Sequence, residues 1–169
     1  MGLVSVGEIT IDDTMSYHDR IACVMVIVLG LILVSSPRGP WVTVTGSDLG
    51  QPITVGAGAA VMTLTCLGVL TSIIGIVALQ ARRPVSLTAL LTMSVLALFV
   101  ALETRARADS IARLQYAAFN NTSDNLSSQT KSSAFETTNT AIALVILTVV
   151  LAVYRRKQQI RAVDAQFPV

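Results

Sequence analysis

The chain has 169 residues, of which 53% are hydrophobic and 13% charged, with a net charge of +2 and a mean hydropathy of +0.68. About a quarter of the residues in a soluble domain are charged, so this composition excludes an ordinary soluble domain and predicts a membrane protein. The small positive balance, spread over several short loops rather than one face, also excludes a nucleic-acid-binding surface.

The first apolar run covers residues 21–35, and the others cover 55–81, 85–102 and 141–154. None contains Asp, Glu, Lys, Arg or His. A membrane-crossing helix needs about 17–25 mostly apolar residues. The middle two runs meet this outright, whereas the first borrows from residues 15–20 and the last from 137–140. The first run, ending in Ser35-Ser36, also resembles the end of a secretory signal peptide. Pro37 would make a poor neighbour for a cleavage site, so the segment reads as an anchor. The expected fold class is an all-α membrane protein with four transmembrane helices.

Basic residues beside membrane spans favour the cytoplasmic side. Arg82-Arg83 and Arg155-Arg156-Lys157 fall on the same side of a four-span chain, together with Arg20 and Arg161. Arg38, Arg105, Arg107, Arg113 and Lys131 fall on the other, and Arg105 and Arg107 pull the opposite way. The balance predicts both termini in the cytoplasm of a plasma-membrane protein, with tails at 1–20 and 155–169 and exoplasmic loops at 36–54 and 103–138. The short cytoplasmic parts leave no room for a domain, so any sizeable partner surface must be the membrane face or the exterior.

In the first outer loop, Val42, Val44, Ile53 and Val55 alternate with Thr43, Thr45 and Thr54, the period of a half-buried strand. Residues 46–50, GSDLG, supply turn chemistry, so a small β-hairpin or two extended arms is expected. An isolated hairpin is marginal in water, and cover must come from the 103–119 segment or from a partner. Trp41 is expected at headgroup depth with its indole N–H wet. Trp41, Val42 and Val44 are therefore candidate partner contacts, and replacing the two valines with Asp is expected to loosen a complex without preventing insertion.

The second span carries small residues at helical spacing, Gly68, Ser72 and Gly75, which let helix backbones approach closely. They suit packing against the chain's own first or third helix, or against another subunit, including a second copy. The second outer loop divides in two. Residues 103–119 have no Gly or Pro and can extend the third helix beyond the membrane. Ile111, Leu114, Ala118 and Phe119 mark an apolar stripe for solvent or for a neighbouring protein. Residues 120–133 are polar and read as a flexible connection. Three glycosylation-type tripeptides beginning at Asn120, Asn121 and Asn125 fit the chance yield of such a tract.

Chemistry is scarce. No ionisable residue lies within a span, where one would signal function. The lone His18 beside Asp19 and Arg20 reads as an interfacial polar residue, insufficient for haem or metal ligation within one chain. Cys23 and Cys66 lie in apolar runs and offer no disulfide framework. Span hydroxyls such as Thr71, Thr92 and Ser94 are expected to bond back to their own helices rather than line a conduit. No catalytic, cofactor or metal site is expected, and enzyme activity is the last of the readings.

Pro40-Trp41, the passage Thr45-Gly46-Ser47-Asp48-Leu49 and the Gly/Ala-rich run 56–60 resemble the tryptophan-associated membrane protein family, among small four-span proteins of actinobacteria. The likeness spans about residues 37–83 and implies topology and source rather than an activity. Animal claudin-like tetraspans share the layout, but carry a cysteine pair in the first loop that this chain lacks. The leading expectation is a non-catalytic accessory or assembly subunit packed beside other integral membrane subunits, with a respiratory supercomplex as first-named partner. The rival is an accessory component of lipid or small-molecule transport.

Overall fold

The computed structural model describes residues 16–46, 52–81, 83, 85–120 and 126–166, with the side chains of 119, 120 and 161–166 left aside. The elements run α1 (Tyr17–Ser35), a 3-10 turn (Ser36–Arg38), β1 (Pro40–Thr45), β2 (Ile53–Gly56), α2 (Ala60–Gln80), α3 (Leu87–Asn120), β3 (Ser127–Thr130) and α4 (Ser132–Gln166). All four helices are long and apolar enough to cross a membrane. Val and Ile are indifferent helix formers in water. In hydrocarbon, however, every backbone N–H and C=O must be satisfied internally, and the helix does this within one segment. Exposed large side chains such as Val28, Leu31, Ile73, Leu91, Phe99 and Ile146 are accordingly ordinary for a surface facing lipid.

α1 stops at Ser35, where Pro37 cannot supply the N–H that a further helical turn needs. α2 starts just after Gly58, whose φ of +56° is a left-handed conformation open to glycine and costly for most residues. α3 and α4 are the long elements, with 34 and 35 residues. At 1.5 Å per residue each reaches about 50 Å, well past a hydrocarbon core of about 30 Å. The helical continuation expected for residues 103–119 is therefore present, reinforced on its exposed side by i,i+4 ion pairs Glu103–Arg107 at 2.5 Å and Asp109–Arg113 at 2.9 Å.

The tightest seam joins α1 to α2. A Cβ added at Gly30 would lie 2.8 Å from the carbonyl oxygen of Gly68 and 2.9 Å from the Ser72 nitrogen. One added at Gly68 would lie 2.7 Å from the Gly30 oxygen, and one at Gly75 2.7 Å from Ile27. Ser72 turns its hydroxyl back to the Gly68 carbonyl at 3.0 Å, so its polarity is satisfied within the seam. Thr71, Thr138 and Thr148 likewise donate to the carbonyl four residues earlier.

At one end of the bundle the three strands form an antiparallel sheet in the order β2-β1-β3. The β1–β2 pairing, Val42↔Val55, Thr43↔Thr54 and Val44↔Ile53, agrees with the expected hairpin. Its connecting turn at 47–51 lies outside the described residues. β3 and the start of α4 correct the reading of 120–133 as a flexible connection for residues 127–133, and residues 121–125 of that tract lie outside the described residues. Residues 127–130 pair with β1, Val42↔Thr130 through Thr45↔Ser127, because ladder hydrogen bonds come from the backbone and do not require apolar side chains. The half-wet alternation expected for β1 is also replaced, since the central strand is buried at Trp41, Val42, Thr43 and Val44 alike.

The opposite end is held by a charged residue. Arg155, one residue past the apolar run of α4, donates to the Val85 carbonyl oxygen at 2.7 Å and pairs with Asp19 at 3.2 Å. One guanidinium thus connects the start of α1, the residues before α3 and the end of the apolar run of α4.

Candidate functional site

The residues singled out for partner contact separate into three groups. Trp41, Val42 and Val44 are interior: Trp41 and Val44 have no exposed surface and Val42 has 1%. The 3-10 turn brings the Pro37 carbonyl under the indole, and Trp41 Nε1 donates to it at 3.2 Å. The wet indole N–H expected at headgroup depth is corrected to a buried, internally bonded one. Val42 and Val44 share one face of β1, and β1 packs against α3. An Asp at either would break the fold's own sheet–helix seam, so the expected selective loosening of a complex is corrected as well. Apolar residues facing a long adjacent helix are covered by that helix before any partner arrives.

Gly68, Ser72 and Gly75 form the second group. All three are in the seam with α1 described above, facing Gly30, Ile27, Val34 and the Cys23 carbonyl. Of the alternatives, the structure places them on the chain's own first helix, and the backbones are too close there for another subunit to use the same face.

The third group is on the extension of α3. Ile111 is 45% and Leu114 71% exposed, and Ala118 is exposed too. Phe119 lies outside the residues whose side chains are described. The buried face is a different one, made of Ala101, Thr104, Ala108, Ala112 and Tyr116, on a helix that packs against both the sheet and α4. Those residues recur at intervals of three and four, and the alanines let the strands lie close to the helix. Tyr116 fills the outer end against Gly46, where even a single Cβ would collide with its ring and hydroxyl. The stripe read from size alone therefore points outward. The inner stripe is marked by small residues, a weak signal in a hydropathy pattern.

Beside the outward stripe, a cleft of about 410 Å³ opens between the start of α2 and α3. Gly56, Ala57, Gly58 and Ala59 line one side, and Val100, Ala108 and Ile111 the other, with the Glu103–Arg107 pair at its lip. A second cleft, of about 510 Å³, lies between α3 and β3 and is more polar, with Arg105, Asp109 and Ser128 in its wall. Sequence reading found neither cleft, because each joins elements whose packing no local pattern records.

Among the described residues, no group of three or more His, Cys, Asp and Glu side chains is placed to hold a metal ion. His18 meets Tyr17 edge-on and Tyr154 at a tilt, with ring centroids 6.1 and 5.2 Å away. Cys23 and Cys66 are both free thiols. No protein-family model, curated protein or solved structure matches the chain.

Proposed function

We propose that the protein is a non-catalytic accessory or assembly subunit of a larger plasma-membrane complex, with both termini cytoplasmic and the sheet on the outer face. One observation carries this reading. Ile111 and Leu114 stand exposed on a rigid helix that runs beyond its apolar span, while the opposite face of the same helix is already occupied by the chain's own sheet. Large apolar side chains placed beyond the apolar span, on a helix whose other face is covered, suit a protein contact. The basic residues Arg82-Arg83 and Arg155-Arg156-Lys157 support the orientation. The likeness to the tryptophan-associated membrane protein family adds an actinobacterial source, and a respiratory supercomplex is the partner named first.

Purification from the native membrane in a mild detergent, through an affinity tag at endogenous expression, tests the proposal. Other integral membrane subunits, respiratory ones first, are expected by mass spectrometry. Elution of the protein alone refutes it. Leu114→Asp is expected to release the partner while leaving unfolding within about 0.5 kcal/mol of the parent, because the side chain is largely exposed.

A further inference from the structure

The apolar run of α3 ends at Leu102, and the polar cleft between α3 and β3 begins there. Two arginines enter its wall, and their circumstances differ. Arg113 is balanced by Asp109 at 2.9 Å, and that carboxylate also accepts a hydrogen bond from Ser128. Arg105 has no carboxylate within 4 Å among the described residues. It donates to the Thr130 hydroxyl at 3.3 Å, and its guanidinium carbon lies 5.2 Å from the centre of the Phe135 ring. The ring and the hydroxyl hold the guanidinium in place, and among the described residues Thr130 is the acceptor that its five N–H donors meet.

The Asp109 carboxylate, one turn along, is engaged by Arg113 and Ser128 and acts on Arg105 only from a longer range. A half-buried, positioned guanidinium that makes no close ion pair among the described residues is matched to a phosphate oxygen pair, which it binds through two parallel N–H···O bonds. The Thr130 hydroxyl, which accepts from Arg105, lines the same cleft and can donate its own proton to a third oxygen, whereas the Ser128 hydroxyl is engaged by Asp109. Half-exposed Leu102 provides an apolar border on the membrane side. The cleft volume lies in the range of about 300–1,000 Å³ common to small-ligand sites.

We propose that this cleft binds an anionic phosphate group, with Arg105 as its principal ligand. Its depth, one turn beyond the apolar run, favours the headgroup of an anionic phospholipid over a soluble phosphate. The site does not depend on the accessory-subunit reading, because it is formed by one chain and concerns a different face of α3 from Leu114.

The full-length protein in detergent, titrated with phosphatidylglycerol, phosphatidylcholine or inorganic phosphate and followed by native mass spectrometry, tests this. Phosphatidylglycerol is expected to bind about tenfold more tightly than phosphatidylcholine, and Arg105→Gln to reduce that ratio to about twofold or less. Ala106→Glu, which adds a carboxylate at an exposed position on the cleft wall, should do the same without touching the Thr130 bond. Arg107→Gln, one turn away from Glu103 and outside this cleft, should leave the ratio unchanged. The emission of Trp41, the single tryptophan, verifies that each variant keeps its sheet. Arg105-dependent binding of inorganic phosphate with no lipid preference assigns the same site to a soluble anion. The proposal is overturned if the wild type neither prefers phosphatidylglycerol nor binds phosphate, or if its preference survives both Arg105→Gln and Ala106→Glu.

Discussion

At the sheet end of the bundle, Trp41 and Val44 of the central strand and Tyr116 of α3 are buried around a backbone ladder, with both faces of the central strand covered. At the other end, Arg155 links Asp19 to the carbonyl of Val85, with side chains 22% and 16% exposed for Arg155 and Asp19. The first closure depends on apolar area and many backbone bonds, and no single polar contact dominates it. The second depends on one charged group that reaches three segments. Partial access to water reduces the attraction between Arg155 and Asp19, and it also spares much of the desolvation that a fully buried pair would incur. Between the two ends the α1–α2 seam relies on neither, only on the absence of side chains at Gly30 and Gly68.

These differences predict an order of effects. Val44→Asp should be the most damaging change, at about 4 kcal/mol or more, because it places a carboxylate against α3 with no partner. Red-shifted Trp41 emission and a lower melting temperature in detergent would register it; an unshifted spectrum would mean that the sheet is not covered on that face. Gly30→Val should follow at about 1–3 kcal/mol, since besides the Ser72 hydroxyl it meets the Gly68 carbonyl oxygen and the Ser72 nitrogen, backbone atoms that cannot rotate away. Here the melting temperature should fall while Trp41 emission in the folded state stays the same, and a shift would show that the seam and the sheet are one cooperative unit.

Arg155→Met removes the clasp and should cost about 1–2 kcal/mol, a value lowered from that of a fully buried pair by the exposure of both partners. Asp19→Asn should cost less, because the Arg155–Val85 bond survives it. A double-mutant cycle between the two positions measures the pair itself, and a coupling near zero would assign the closure of this end to the carbonyl bond alone. Smallest of all is Thr45→Val, which removes one exposed hydroxyl contact with Ser127, 2.8 Å long, and should lower stability by about 0.5 kcal/mol. A loss as large as that of Arg155→Met would indicate that β3 is held by side chains rather than by its ladder.

The four helices long and apolar enough to cross a membrane were legible because length and uninterrupted apolar character leave a chain in hydrocarbon few alternatives. The continuation of α3 was legible for a similar reason, as residues 103–119 contain nothing that ends a helix. The pairing of β1 with β2 showed through its two-residue alternation. β3 did not, since Ser127, Ser128 and Gln129 carry no apolar pattern and are recruited through their backbone. Arg155 and Asp19 lie 136 residues apart, and no local motif could join them. Among the partner-contact candidates, size and hydrophobicity identified Val42, Val44, Ile111 and Leu114 equally, although the first two are covered and the last two exposed.

The sequence by itself determined how many helices can cross a membrane, roughly where they begin, and that Gly68, Ser72 and Gly75 permit a close backbone approach. Each of these follows from properties that a residue carries into any surroundings, namely its transfer from water, its backbone freedom and its volume. Only the tertiary structure decided which face of α3 the sheet would cover, that Trp41 would be enclosed, and that Arg113 would pair closely with Asp109 while Arg105 turns to Thr130 and the Phe135 ring. Those outcomes depend on which distant segments arrive beside a residue, and burial and charge balance are properties of the neighbours as much as of the residue itself.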